Sequence, residues 1–142
     1  MLKNISPCIS PNLLKILMEM GHGDEIVIAD GNFPAESHAK KCIRADGLKI
    51  PELLQGILDL MPLDSYVDKP VTFMMPDQGI GRPKIWGIYE EIINKEYMSN
   101  TPLLLERFKF YEKAKNAYAI LATSEDQLYA NIILRKGVIS LE

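Results

Sequence analysis

The stretch from Met20 to Pro34 restricts the fold of this chain more than any other. Upstream of it, Ser10-Pro11 reads as an N-cap followed by proline at the first helical position. Leu13, Ile16, Leu17 and Met20 then recur at i, i+3, i+4 and i+7, one apolar helix face, which Gly21 is expected to end. Residues 25–29, Glu-Ile-Val-Ile-Ala, are apolar after the first, with Gly23 and Gly31 on either side, the pattern of a buried strand. Between helix and strand stands His22, flanked by Gly21 and Gly23, so a ligand can approach it closely and the backbone can turn through positive φ. Asp30 follows the strand, and ligands of α/β sheets gather outside the carboxyl ends of strands. Taken alone, the same residues also describe a histidine in a tight turn and an aspartate opening the next one.

The rest of the chain continues the alternation. Residues 43–47, Ile-Arg-Ala-Asp-Gly, predict a short strand ending in an Asp-Gly turn, with Arg44 and Asp46 paired across it. Pro51 opens a second helix with a stripe of Leu54, Ile57, Leu58 and Met61. Val71 to Met75 is an uncharged apolar run, a second buried strand, closed by Pro76 and the Gly79-Ile80-Gly81 loop. A third helix over residues 84–97 buries Ile85, Ile88, Tyr89 and Ile92. A shorter helix from Phe108 to Lys115 leads into strand 117–123, and Asn131 to Arg135 forms the last strand. Strands followed by helices long enough to cross over predict an α/β fold: a three-layer α/β/α sandwich with a mostly parallel, mixed central sheet. At 142 residues, without linker, repeat or low-complexity segment, residues 1–142 are expected to form one domain.

Composition and motifs exclude several classes. A net charge of −3 argues against a nucleic-acid binder, which would show a basic face. Neither a signal pattern nor a long apolar run is present, so no membrane association and a cytoplasmic location are expected. Cys8 and Cys42 have neither disulfide-framework nor metal-ligand spacing and read as free thiols, which suits a reducing compartment. His22 and His38 have no cysteine partner at ligand spacing, so no metal site is expected. Gly21-His22-Gly23 and Gly79-Ile80-Gly81 lack the third glycine of a dinucleotide fingerprint, and neither a phosphate loop nor a nucleophile elbow is present. Chemistry must then rest on histidine, carboxylate, arginine, tyrosine and asparagine, a set suited to moving protons on a neutral polar ligand.

Nearly end to end, the chain resembles the RbsD/FucU family of sugar pyranases and mutarotases, and its L-fucose branch in particular. The resemblance is carried by Ile5-Ser6-Pro7, Ser10-Pro11, the run from Met20 to Glu25, Phe33-Pro34 and the run from Ile43 to Gly47. It continues through Pro62-Leu63-Asp64-Ser65-Tyr66, Ile85-Trp86, the run from Glu106 to Ala114, the run from Tyr129 to Leu134 and Lys136-Gly137. It implies interconversion of the anomers of a reducing sugar, without cofactor, in ring-shaped homo-oligomers, typically decamers of two stacked pentamers. It also implies His22 as the catalytic residue and Asp30, Arg107, Tyr129, Ala130 and Asn131 as substrate-binding residues. Ala130 stands where fucose-branch members commonly carry glycine and matches the ribose branch. The Arg44-Ala45-Asp46-Gly47 stretch and the run from Arg107 to Glu112 are absent from the ribose branch, which favours L-fucose over D-ribose.

The chemistry of these residue types fits. Mutarotation removes a proton from the anomeric hydroxyl and delivers one to the ring oxygen. The C1–C2 bond of the open aldehyde then rotates, and the ring recloses on the other face. An imidazole, with an unperturbed pKa of about 6.5, suits either transfer. Asp30 accepts from sugar hydroxyls, Arg107 donates, Asn131 does both, and Tyr129 stacks and donates. Tyr111, Tyr118 and Trp86 are candidates for an apolar corner that takes a methyl group, while His38 reads as exposed. The structural alternatives are Arg107 ion-paired with Glu106 or Glu112, Tyr129 in the core and Asn131 at a strand edge. Two other functions stay open at this point, a D-ribose pyranase and a non-catalytic sugar-binding regulator. One geometric expectation follows from residues 25–29 alone. His22 precedes the strand and Asp30 follows it, which separates them by roughly 15–25 Å in one chain. If both serve one sugar, the site lies between subunits of a ring.

Overall fold

The computed structural model describes residues 1–97 and 101–142. In chain order the elements are α1 (Pro11–Glu19), β1 (Glu25–Ala29), α2 (Ala35–His38), β2 (Cys42–Ala45), α3 (Ile50–Leu58), β3 (Val71–Met74), α4 (Ile85–Glu96), β4 (Leu103–Leu105), α5 (Arg107–Asn116), β5 (Ala119–Thr123) and β6 (Ile132–Arg135). The strands form a six-stranded sheet in the order β2-β5-β1-β6-β3-β4. β2, β5 and β1 run parallel, as do β3 and β4, while β6 lies antiparallel between β1 and β3. The expected three-layer, mostly parallel mixed sandwich is therefore the fold. The exception to parallel order is β6, because no helix separates it from β5.

β1 lies inside the sheet, and its alternation serves both layers. Ile26 and Ile28 face a core built with Leu13, Leu17, Leu53, Leu54, Ile57 and Tyr89 from α1, α3 and α4. Val27 and Ala29 face a smaller core with Ala35, Phe110 and Ala114 from α2 and α5. All four are fully buried, as expected for a strand covered by helices on both faces.

Local chemistry sets the helix ends. The Ser10 hydroxyl accepts from the Leu13 amide at 3.1 Å, as an N-cap should. The far end of α1 differs from expectation: Met20, not Gly21, leaves the helix, with extended backbone at ψ 137°. The Lys136 ammonium closes that end by donating to the Leu17 carbonyl at 2.7 Å and to the Met20 carbonyl. A cation on the last carbonyls removes the need for a left-handed glycine.

Three further differences have physical causes. The short α2 and β4 were not expected, since four and three residues are too few to show periodicity. In α4 the buried face is rotated by about one position: Ile88 is 48% exposed, and Trp86 and Ile93 are buried instead. Trp86 draws the helix round by packing on Phe73, ring centres 5.0 Å apart, and donating from Nε1 to the Tyr129 carbonyl at 3.2 Å. His38 is half-buried, its ring edge-on to Phe33 and Tyr111 and its Nδ1 2.9 Å from the Ser37 hydroxyl.

The β6 terminus draws a distant loop to the start of β1. Leu63 bridges to Lys136, the Asp64 amide donates to the Arg135 carbonyl at 3.0 Å, and the Gly137 amide donates to the Pro62 carbonyl at 2.8 Å. A Cβ on Gly137 would overlap the Leu63 carbonyl and lie 2.9 Å from the Asp64 Cα, so only glycine lets the two segments pass. Gly137→Ala is expected to lower stability by about 1–3 kcal/mol, the usual range for forced overpacking. Chemical denaturation measures it, and an unchanged midpoint would contradict this packing.

Candidate functional site

The proposed site residues fall at the two ends of the β1–β6 ladder, where Glu25 pairs with Arg135 at one end and Ile28 with Ile132 at the other. At the first end stands His22. Gly23, at φ 87°, turns the chain there, and its amide is fixed to the Lys136 carbonyl at 2.9 Å. The His22 Nε2 lies 3.0 Å from Asp64 Oδ1, and its ring packs on Tyr66 with centres 5.2 Å apart. Asp64 Oδ1 also accepts from the Tyr66 amide at 3.0 Å, and Asp64 Oδ2 accepts from Arg135 Nε at 2.8 Å. The Asp64 side chain is 1% exposed, whereas the His22 side chain is 46% exposed. A buried carboxylate thus holds Nε2 of a half-exposed imidazole, and among the described residues Nδ1 has no hydrogen-bond partner, the geometry of an oriented general acid/base.

Burial alone would push the Asp64 carboxyl up. The Arg135 guanidinium, the Tyr66 amide and the His22 ring outweigh it and bring it from 3.8 down to about 2. Neither Asp64 nor Arg135 stood out in the sequence as a functional residue. Asp64 did lie inside the Pro62–Tyr66 motif, but only the bridge to Lys136 reveals that this loop reaches His22.

At the opposite end Asp30, Asn131 and Tyr129 come together. Asp30 and Asn131 form a reciprocal pair: the Asp30 amide donates to Asn131 Oδ1 at 2.7 Å, and Asn131 Nδ2 donates to Asp30 Oδ2 at 3.1 Å. Asp30 Oδ1 takes the Asn32 amide at 3.0 Å. Burial pushes the Asp30 carboxyl above its ordinary value, against the Asn32, Phe33 and Ala130 amides and the Asn131 side chain, all of which favour the anion. Tyr129 holds φ at 55°, unusual for a residue with a Cβ. Two donors pin that turn: Trp86 Nε1 on the Tyr129 carbonyl and, at 2.7 Å, the Tyr89 hydroxyl on the Ala130 carbonyl. Backbone held in a sparsely populated region by its surroundings is characteristic of ligand-binding sites.

These residues line a cleft of about 220 Å³ with Asn32, Phe33, Met74, Ile80, Arg107, Tyr111 and Leu128. One carboxylate, one guanidinium, two carboxamides and two phenols converge on an otherwise apolar pocket, which suits a small neutral polyol with an apolar face. Arg107, the first residue of α5, is exposed and lies over Phe108, and among the described residues it makes no ion pair. Glu106 instead caps α5, accepting the Phe108 and Lys109 amides. Ala130 is fully buried and absent from the cleft lining, and its backbone amide faces the Asp30 carboxyl. Of the three aromatic candidates for the apolar corner, Tyr111 lines the cleft. Trp86 lies in the core, and the Tyr118 hydroxyl is bound by Lys41. A larger hollow beneath the N-terminal segment, lined by Ile5, Ile9 and Leu14 among others, holds no charged side chain and has no comparable chemistry.

His22 is absent from the cleft lining, and the full length of β1 separates it from Asp30. Each end also has its own buried carboxyl group, raised at Asp30 and lowered at Asp64. Since the folded Asp64 lies below its ordinary 3.8, its ionised form contributes stability that is complete above about pH 4 and lost as pH falls through about 2. The stability difference between the wild-type protein and Asp64→Asn is therefore expected to shrink as pH falls from about 4 to about 2 in denaturation experiments. A constant difference across that range would contradict the ion pair.

The chain matches the model of the RbsD / FucU transport protein family over residues 3–139. It is 48% identical to a fucose mutarotase of Homo sapiens, an alignment covering 99% of this chain and 96% of that protein. It is likewise 48% identical to an L-fucose mutarotase of Histophilus somni, covering 97% of each. Among solved structures it resembles a fucose mutarotase from Streptococcus pneumoniae in complex with L-fucose, with a TM-score of 0.95 and 58% identity over 98% of this chain and 100% of that one. Fold, length and sequence agree: this chain belongs to the RbsD/FucU family.

Proposed function

We propose that this protein is an L-fucose mutarotase, an isomerase that interconverts the α and β anomers of the sugar by acid/base-catalysed ring opening and closure. The observation that carries the reading is the contact of His22 with buried Asp64, because a binding protein has no need of an imidazole oriented on a carboxylate. Two relatives at 48% identity act on fucose by name, which supports L-fucose over D-ribose.

In this reading the sugar sits in the Asp30 cleft. Asp30 and Asn131 bind its hydroxyls, Arg107 donates at the rim, and the wall of Phe33, Met74 and Tyr111 takes its apolar face. His22 exchanges protons with the anomeric hydroxyl or the ring oxygen. As the C1–O5 bond breaks, one proton leaves O1 and one reaches O5, so C1 becomes an aldehyde. Rotation about C1–C2 and the reverse transfers close the other anomer. The ring opens and closes by proton transfers with one bond rotation between them, so the reading includes no metal and no cofactor.

One sugar ring cannot touch His22 and Asp30 of the same chain across the length of β1. The histidine that serves each cleft therefore comes from a neighbouring subunit, and the active protein is a homo-oligomer, a decamer of two stacked rings. The whole of residues 1–142 acts as one domain within it, in the cytoplasm.

Two measurements test this. His22→Ala is expected to reduce added α/β exchange of L-fucose by about 10²–10⁴-fold, with modest loss of binding. Magnetisation exchange between the anomer signals in NMR reads it directly, and a variant within threefold of wild type would move the proton transfer elsewhere. Mixing His22→Ala with Asp30→Asn subunits is expected to restore part of the lost exchange, through interfaces that join one intact His22 to one intact Asp30. Mixtures as inactive as either variant alone, after verified subunit exchange, would contradict the shared site.

A further inference from the structure

We propose that Arg135 is a positioning residue for His22: by occupying the second oxygen of Asp64 it fixes that carboxylate so that His22 keeps its proton on Nε2 and offers Nδ1 to the sugar. The inference rests on the reading of His22 as the proton-transfer group. Its own support is geometric.

Asp64 has no freedom left in the structure. Its Oδ1 is shared by His22 Nε2 and the Tyr66 amide, its Oδ2 is bound by Arg135 Nε at 2.8 Å, and its amide donates to the Arg135 carbonyl. Arg135 thus grips the same residue through main chain and side chain together. The guanidinium also lies across the turn that carries His22. A Cβ on Gly23 would stand 3.1 Å from Arg135 Nη2, and Gly23 takes a φ of 87° that disfavours any side chain. The glycine after the catalytic histidine is therefore the seat of the arginine as well as an opening for a ligand.

The chemical consequence follows from donor and acceptor roles. An ionised carboxylate only accepts, so the nitrogen facing it must carry the proton, and the tautomer of the neutral ring is set by that contact. Asp64, held at about 2, is ionised at neutral pH. Removing Arg135 leaves a buried charge whose remaining polar partners are His22 and the Tyr66 amide. The carboxylate then turns or takes up a proton, and either change releases the constraint on the ring. Lysine would keep the charge but not the planar, directed Nε–H.

The test uses the full-length protein labelled with ¹⁵N in its two histidines, His22 and His38. Long-range ¹H–¹⁵N spectra at pH 8 report the tautomer of each, and His38→Gln assigns the signals. Wild-type His22 is expected as the Nε2–H tautomer alone. Arg135→Gln is expected to show both tautomers, with kcat for anomer exchange about 10–100-fold lower and KM within about threefold. Arg135→Lys should return part of both. Because an unpaired buried Asp64 could unfold the protein, the double variant Arg135→Gln with Asp64→Asn removes that charge, and it is expected to remain slow and mixed. A single Nε2–H tautomer in folded Arg135→Gln, or a double variant at the wild-type rate, overturns the proposal. The spectra are recorded without sugar, so they decide the role of Arg135 even where His22→Ala retains exchange and the mutarotase reading itself fails.

Discussion

The antiparallel pairing of β1 with β6 is the constraint on which the rest depends. Its register sets Glu25 opposite Arg135 and Ile28 opposite Ile132, so residues at and just beyond the ends of the ladder meet in two separate groups. His22 and Arg135 gather at one end, Asp30 and Asn131 at the other. The Leu63–Asp64 loop then joins the first group by bridging to Lys136, and α5 brings Arg107 to the second. A slip of one residue would turn Ile26 and Ile28 into the wrong core and separate both groups. Packing on two faces therefore protects the site geometry.

The two ends treat their carboxylates in opposite ways. Asp64 is matched by a guanidinium and stays anionic in a nearly dry position, where it serves as a fixed acceptor for an imidazole. Among the described residues Asp30 has no cation in hydrogen-bond contact, and amides oppose the cost of its burial. A carboxylate stabilised by dipoles alone is well matched to sugar hydroxyls, which can join those donors without displacing an ion pair. The turn at Tyr129, pinned by Trp86 and Tyr89, extends that preorganisation to the pocket wall. Trp86 is consequently a core residue that shapes the cleft wall, even though it does not line the cleft.

Much of this was legible in the chain. The Leu13–Met20 stripe, the glycine-bounded run at 25–29 and the uncharged run at Val71 each appear where their periodicity or lack of charge demanded. Most of the failures share a cause: tertiary contacts decide them. Lys136, far away in sequence, ends α1. Trp86 rotates α4 through contacts with Phe73 and Tyr129. α2 and β4 are too short to announce themselves. In the site, the separation of His22 from Asp30 was readable from a strand's rise per residue, whereas the partnership of His22 with Asp64 was not. Nothing in the spacing of 42 positions between them indicates contact until the sheet order is known. His38 looked exposed because its neighbours are polar, yet its ring lies against Phe33 and Tyr111, which a linear pattern does not reveal.

The central claim is that the two ends of one ladder serve different copies of the same site. A crystal structure of the assembled protein with L-fucose bound tests it most directly. The account predicts a sugar whose hydroxyls meet Asp30 and Asn131 of one subunit and whose anomeric carbon or ring oxygen lies within hydrogen-bonding range of His22 from a neighbour. A sugar touching His22 and Asp30 of the same chain, or one with no histidine near its anomeric centre, would contradict it.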